Sequence, residues 1–213
     1  AYRVRQGDRW LHVRKAECSR LLALDWAMGK PKKGAQPGDE LTGDHTAFVV
    51  ADMEERTGLL FLVHALNERI PMGSNAPRLA ETCRRWLPAV VAGDDDNLSE
   101  AMLLETRRYR DIPTTRSMSI GGRNKLVRSQ AAIVRAERGM VLLPQDDYRA
   151  GKEWVEVLSD QLAAFTGADG EQDDLCDAVA ILGRLADEFV PGADGADAVP
   201  VLGDGGYDSG GVW

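Results

Sequence analysis

Residues that build redox and zinc sites are sparse in this chain. Cys18, Cys83 and Cys176 are odd in number and form no C-x-x-C pair, and His12, His45 and His64 are equally scattered. That usage argues against a disulfide framework and structural zinc and points to a reducing compartment. Long apolar runs are missing too. None approaches the roughly 18 residues a membrane span requires, and the first twenty residues hold no signal-peptide apolar stretch. A soluble intracellular protein is therefore expected. The phosphate-gripping loop G-x-x-x-x-G-K-[ST] is also lacking; the nearest run, Gly29-Lys30-Pro31-Lys32-Lys33-Gly34, fails in spacing and context. Disulfide staples are unnecessary, because 213 residues with 44% apolar content suit one medium domain. Such a domain buries roughly 70% of its unfolded surface. The chain begins at Ala1 rather than Met, so a piece or processed form of a longer protein is expected.

Basic residues are outnumbered by acidic ones, 26 to 34, for a formal charge of −8. A nucleic-acid partner looks unsuited to that average, but the distribution is uneven. Between Thr106 and Arg138 lie nine basic residues (Arg107, Arg108, Arg110, Arg116, Arg123, Lys125, Arg128, Arg135, Arg138) against two acids, Asp111 and Glu137. Beyond Arg184 there is no Lys or Arg and there are six acids. The basic segment is either a solvated face or a phosphate-facing patch.

Hydropathy periods divide the chain. Residues 1–19 read as a leading segment or linker with a short strand. Leu21–Trp26 is a continuous apolar run, a candidate central strand. The Gly/Lys/Pro-rich stretch 28–43 reads as a loop. Residues 46–53 and 59–65, flanking Glu54-Glu55-Arg56-Thr57-Gly58, read as a hairpin that completes a three-strand meander. Residues 76–90 carry Leu79, Cys83, Trp86 and Leu87 at helical spacing. Residues 101–106 read as a fourth strand, 124–137 as a helix and 139–144 as a short fifth strand stopped by Pro144. One more helix carries Trp154, Val157, Leu158 and Leu162 and ends at Thr166-Gly167, and a last one carries Leu175, Val179, Leu182, Ala186 and Phe189, giving a core domain over 20–190. The Gly/Asp/Ala-rich tail, 191–213, reads as disordered. Trp26, Trp86 and Trp154 each lie within an apolar pattern and read as core.

Carboxylates stand out against this background. Asp25 closes the apolar run Leu21-Leu22-Ala23-Leu24, Glu105 closes Ala101-Met102-Leu103-Leu104, and Asp173-Asp174-Leu175-Cys176-Asp177 opens the last helix. A carboxylate beside buried apolar strand is costly unless compensated. Asp174 and Asp177, three apart, share one side of a helix with Ala178 and Ile181. Each acid has a bland explanation as a loop cap, an ion-pair partner or a helix N-terminal acid. Brought together they would repel, and a divalent cation with oxygen ligands is the usual remedy, which suggests Mg²⁺ or Mn²⁺ and phosphoryl chemistry. Asp44 and Asp52 read as loop acids.

The order of strands and helices suits an α/β ribonuclease H-like fold: a five-stranded mixed sheet, an antiparallel meander plus two parallel strands, with helices on both faces. Within that superfamily the chain resembles the C-terminal nuclease domain of the large terminase subunit of tailed bacteriophages. The resemblance is carried by Leu22-Ala23-Leu24-Asp25-Trp26-Ala27, by the run from Gly43 to Ala51, and by Leu103-Leu104-Glu105-Thr106. It continues through Asn124-Lys125-Leu126-Val127-Arg128 and Gly139–Pro144 and ends with Asp173-Asp174-Leu175-Cys176-Asp177-Ala178-Val179. It implies an endonuclease that cuts concatemeric double-stranded DNA during genome packaging in the host cytoplasm. Two Mg²⁺ or Mn²⁺ ions would be held by Asp25, bridging both, with Glu105, Asp174 and Asp177, and Asp173 as a substitute ligand. Arg107, Arg108, Arg110, Arg116, Arg123, Lys125 and Arg128 would face DNA. The partners implied are an ATPase motor domain, the small terminase subunit and the portal protein. A RuvC-type Holliday-junction resolvase and a non-catalytic DNA- or portal-docking module are the alternatives.

Overall fold

The computed structural model describes residues 1–6, 8–27, 30–31, 41–95, 97–118, 125–144, 153–168 and 173–189. In chain order the elements are β1 (Tyr2–Gln6), β2 (Arg9–Val13), β3 (Cys18–Asp25), β4 (Lys30–Pro31), β5 (Leu41–Thr42), β6 (Thr46–Glu54), β7 (Leu60–Glu68) and α1 (Met72–Trp86). They continue with β8 (Val90–Asp94), α2 (Asn97–Thr106), β9 (Thr115–Met118), α3 (Lys125–Glu137), β10 (Val141–Leu142), α4 (Glu153–Ala164) and α5 (Asp174–Phe189). Apart from the β4–β5 pair, the loop expected over 28–43 and the tail 191–213 lie outside the described residues.

The main sheet has six strands in the order β10-β7-β6-β3-β8-β9. The meander is as expected, with β6 antiparallel to both β3 and β7. β8 runs parallel to β3, β9 parallel to β8, and β10 parallel to β7. Two expectations fail together. The helix expected over 76–90 stops at Trp86, where Leu87 turns left-handed (φ 52°) and donates its N–H to the Cys83 carbonyl. Pro88 disfavours helical backbone at the residue before it, so Val90 and Val91 are released into a buried strand. The run 101–106 is the end of helix α2 rather than a strand. Its Ala, Met and Leu are strong helix formers, and it contains no β-branched residue before Thr106.

Alternation along the strands divides the core. Leu21, Ala23, Val90 and Ala92 point to one face, where they pack with Leu158 of α4, Ala132 of α3 and Ala178, Ile181, Leu182 and Leu185 of α5. Leu22, Leu24 and Val91 point to the other, against Leu79 and Cys83 of α1 and Met102 of α2. α5 is apolar nearly all round, and each fully buried Ile or Leu on it contributes on the order of 2 kcal/mol. Gly183 allows α3 to cross it closely, since a Cβ there would lie 3.1 Å from the Ala132 backbone nitrogen.

Residues 1–19 are an integral layer and not a linker. Tyr2 is 1% exposed and stacks on Phe61 with ring centroids 4.1 Å apart. Its hydroxyl donates to Asp52, which Arg20 also grips from Nε (2.5 Å) and Nη2 (2.8 Å). Asp52 is therefore a buried, paired strand residue and not the loop acid expected. Burial alone would push its carboxyl up, but the hydrogen bonds from Arg20 and Tyr2 and the Arg20 charge outweigh it and hold it below the usual carboxylate range.

Candidate metal centre

Asp25 is the last residue of β3 and sits opposite Ala47 of β6. On its other side Leu24 pairs with Gly93, so Asp94, the last residue of β8, comes level with Asp25 on the neighbouring parallel strand. Such strands lie about 4.8 Å apart. Because Ala23 and Ala92 face α5, the alternation sends Asp25 and Asp94 to that face as well.

The amino end of α5 reaches the same end of the sheet. Asp187, near its carboxyl end, pairs with Arg135, which also donates to the Gly58 carbonyl in the β6–β7 turn, at the end remote from Asp25. At the near end, Asp174 Oδ2 lies 3.8 Å from Nδ1 of His45, two residues before Ala47. Asp25, Asp94, Asp174 and Asp177 thus belong to one end and one face of the sheet. A buried network fixes the chain where it leaves β3. The Ala27 N–H donates to Thr46 Oγ1 (3.2 Å), Asn75 Nδ2 donates to the Ala27 carbonyl (3.2 Å), and Thr46 Oγ1 is 3.1 Å from Asn75 Oδ1.

Electrostatics mark this end as strained. Asp173 is 6% and Asp177 8% exposed. Burial first, then the charges of Asp44, Asp173 and Asp177, push the Asp174 carboxyl up to about 6, against a smaller opposing backbone hydrogen bond. His45 brings no relief, because burial and the Arg69 charge hold it below its ordinary value. It is neutral at pH 7, and its approach to Asp174 is not an ion pair at that pH. Among the described residues, no three Asp, Glu, His or Cys side chains are already drawn together closely enough to hold an ion. The donor set nevertheless fits a hard divalent cation, being all carboxylate oxygen and at least partly buried, with Asp177 adding its charge to Asp174.

Glu105 is not part of this group. It lies in the last turn of α2, whose Met102 packs on the opposite face, and the helix returns from the carboxyl end of β8 to the amino end of β9. Its carboxylate accepts a 3.0 Å hydrogen bond from Arg108. The basic residues divide the same way. Arg107, Arg108 and Arg110 are exposed at the remote end, where Asp111 pairs with Arg84 of α1. Arg116, on β9, is half-engaged with Glu188 (2.9 Å) and the Phe189 ring. Lys125 and Arg128 start α3, after β9 has returned to the carboxylate end; their side chains, and all of Arg123, lie outside the described residues.

Of the three tryptophans read as core, Trp26 is 5% exposed and meets Phe48 edge-on, whereas Trp86 and Trp154 are half-buried around His64. Sequence reasoning missed Asp94 and His45; Asp44 is the exposed loop acid expected, and its charge acts on Asp174. The signal for Asp94 was present in the short run that follows Pro88, where the β-branched pair Val90-Val91 leads within three residues to an acid.

No protein-family model and no curated protein sequence matches the chain. Solved structures do. The chain is similar to the large terminase nuclease from thermophilic phage G20c, determined with bound magnesium, at 14% identity and TM-score 0.53, over 78% of this chain and 81% of that one. It is also similar to the nuclease domain of the large terminase subunit gp2 of bacterial virus Sf6 (12% identity, TM-score 0.49, 78% and 87% covered). A third is Thermus thermophilus RuvC (17%, 0.42, 81% and 96%). The fold is therefore the ribonuclease H-like α/β fold, here with six strands in the mixed sheet. The resemblance to terminase nuclease domains carried by the sequence motifs recurs in the arrangement of the chain.

Proposed function

We propose that this chain is a divalent-metal-dependent endodeoxyribonuclease of the terminase type, cutting concatemeric double-stranded viral DNA during genome packaging. One observation carries the reading: Asp25 and Asp94 end adjacent parallel strands at the same level and on the same face, and the acids opening α5 join them. In this reading Asp25, Asp94 and Asp174 hold Mg²⁺ or Mn²⁺, and Asp177 is a further ligand or orients one. Divalent ions, when bound, activate water for in-line attack on phosphorus and stabilise the leaving oxygen.

The chain's own contribution is preorganisation. Two carboxylates are fixed by the sheet, a third by the first turn of a helix buried along its length, and the Thr46–Asn75 network holds the strand exit beside Asp25. Helix α3, which opens with Lys125, follows β9 at the carboxylate end, whereas Arg107, Arg108 and Arg110 lie at the remote end, so the basic segment that includes Arg123, Lys125 and Arg128 is the one proposed to neutralise phosphates near the cut. The motor, small-subunit and portal partners rest on the resemblance and belong to this proposal.

The test is nicking and linearisation of supercoiled plasmid in Mn²⁺ or Mg²⁺, with EDTA as control. Asp25→Ala and Asp94→Ala should each lower the rate at least about a hundredfold, the several kcal/mol expected for loss of a metal's charge stabilisation. Glu105→Ala should cut within about threefold of the parent. A defective Glu105→Ala with an active Asp94→Ala would overturn the assignment, and cutting restricted to four-way junctions would redirect it to a resolvase.

A further inference from the structure

The β1–β2 ribbon covers the core with one side only and leaves the other in solvent. Its inward side is Tyr2, Val4 and Val13, packed with Leu59, Phe61, Met140 and Leu142. Register then sets Arg3 opposite His12 and Arg5 opposite Trp10 on the outward side. All four outward residues are exposed, and Trp10 keeps 47% of its surface in solvent. The Arg3 guanidinium lies 4.7 Å from the Trp10 ring centroid. Residues 1–15 hold five basic residues (Arg3, Arg5, Arg9, Arg14, Lys15) and one acid, Asp8, within a chain of net charge −8. Among the described residues neither Arg3 nor Arg9 forms an ion pair; Arg14 pairs with Glu17. Nothing in the core requires an indole on this side.

We infer that the outward face of this ribbon is a second nucleic-acid contact, with Arg3 and Arg5 meeting phosphates and the Trp10 indole meeting a base or sugar. Guanidinium groups beside an aromatic platform suit a polyanion with flat faces better than an acidic peptide, which would use the charge and leave the indole idle. The surface lies at the Glu54–Leu60 end of the sheet, remote from the carboxylates, so it holds DNA without taking part in the cut. The inference rests on the nuclease reading only for the identity of the strand as DNA.

The test is binding without cleavage. Fluorescence anisotropy with labelled 30-mer single strands and 30-bp duplexes is measured in EDTA over a salt series, for the parent and for Arg3→Ala/Arg5→Ala and Trp10→Ala. The double variant should weaken binding about tenfold at low salt and flatten the duplex salt slope by roughly two, one per phosphate lost. A Trp10→Ala defect confined to the single strand would assign the indole to an unpaired base; an equal defect on both would assign it to the backbone. Because Arg3, Arg5 and Trp10 point away from the core, melting temperature should stay constant. Affinity and salt slope unchanged in both variants overturn the inference, as does competition by poly-glutamate equal to that by DNA. Plasmid cleavage lost in Asp94→Ala but retained in the ribbon variants separates this surface from the proposed metal centre, so either reading can fail alone.

Discussion

Replacing Asp174 by Asn should make the metal-free protein more stable at neutral pH. The carboxyl titrates near 6 in the fold, against 3.8 for the unreacted group, and its side chain is only 12% exposed. Being an acid with a raised folded pKa, it destabilises the fold fully above about pH 6, and that penalty disappears as pH falls from 6 towards 3.8. At 1.36 kcal/mol per pKa unit the penalty is about 3 kcal/mol. For a domain of this size, that is a rise of roughly 6–12 °C in melting temperature. The assay is thermal unfolding of parent and Asp174→Asn in EDTA from pH 8 to pH 4. The difference between the two proteins is the quantity to follow, because His64, pushed down to about 4 by burial and by Arg85 and Arg78, makes both lose stability on acidification below 6.5. The difference should be largest at pH 8 and close by pH 4. With Mg²⁺ or Mn²⁺ added at a hundredfold excess over the dissociation constant, the parent should gain about 2.7 kcal/mol and the variant much less. An Asn variant less stable than the parent in EDTA, or an equal metal response in both, would refute the reasoning.

Other outcomes follow from the fold and the site. Arg20→Leu should cost about 3–5 kcal/mol in chemical denaturation, because it strips a buried carboxylate of its charged partner; Arg20→Leu/Asp52→Asn should recover most of that loss. The Asp52 carboxyl is held below its usual value, so its contribution is intact above pH 3.8 and is lost only as pH falls through its lower folded pKa. A parent-minus-Asp52→Asn difference that faded already near pH 6 would contradict this. Leu87→Gly should stabilise by about 1 kcal/mol, since Leu87 is 76% exposed and holds a left-handed backbone that glycine adopts freely; a lowered melting temperature would count against that cap. In plasmid cleavage, Asp94→Ala should be inactive and Glu105→Ala active.

The parts of this fold readable from sequence are those with one dominant period. The meander strands are near-continuous apolar runs of six to nine residues bounded by turn signals, and α5 repeats its apolar side chains at helical spacing over sixteen residues. The failures cluster where a short apolar run suits either state. Val90–Ala92 and Ala101–Leu104 are each too short for periodicity to separate strand from helix, and exchanging the two moved the second acid from Asp94 to Glu105. Residues 1–19 were illegible as a layer because their core contacts, Tyr2 with Phe61 and Asp52, span fifty or more positions of chain.

By itself the sequence determined that carboxylates terminate buried apolar segments, and it singled out Asp25 and the Asp174–Asp177 pair as candidates, because burying an acid beside aliphatic neighbours is costly wherever the chain goes. Which other acid stands with them was a tertiary decision. Strand pairing brings Asp94 level with Asp25 across one interstrand spacing, whereas α2 carries Glu105 to the opposite face and the remote end. Proximity in a sheet is set by register between strands far apart in the chain, and no local pattern encodes register.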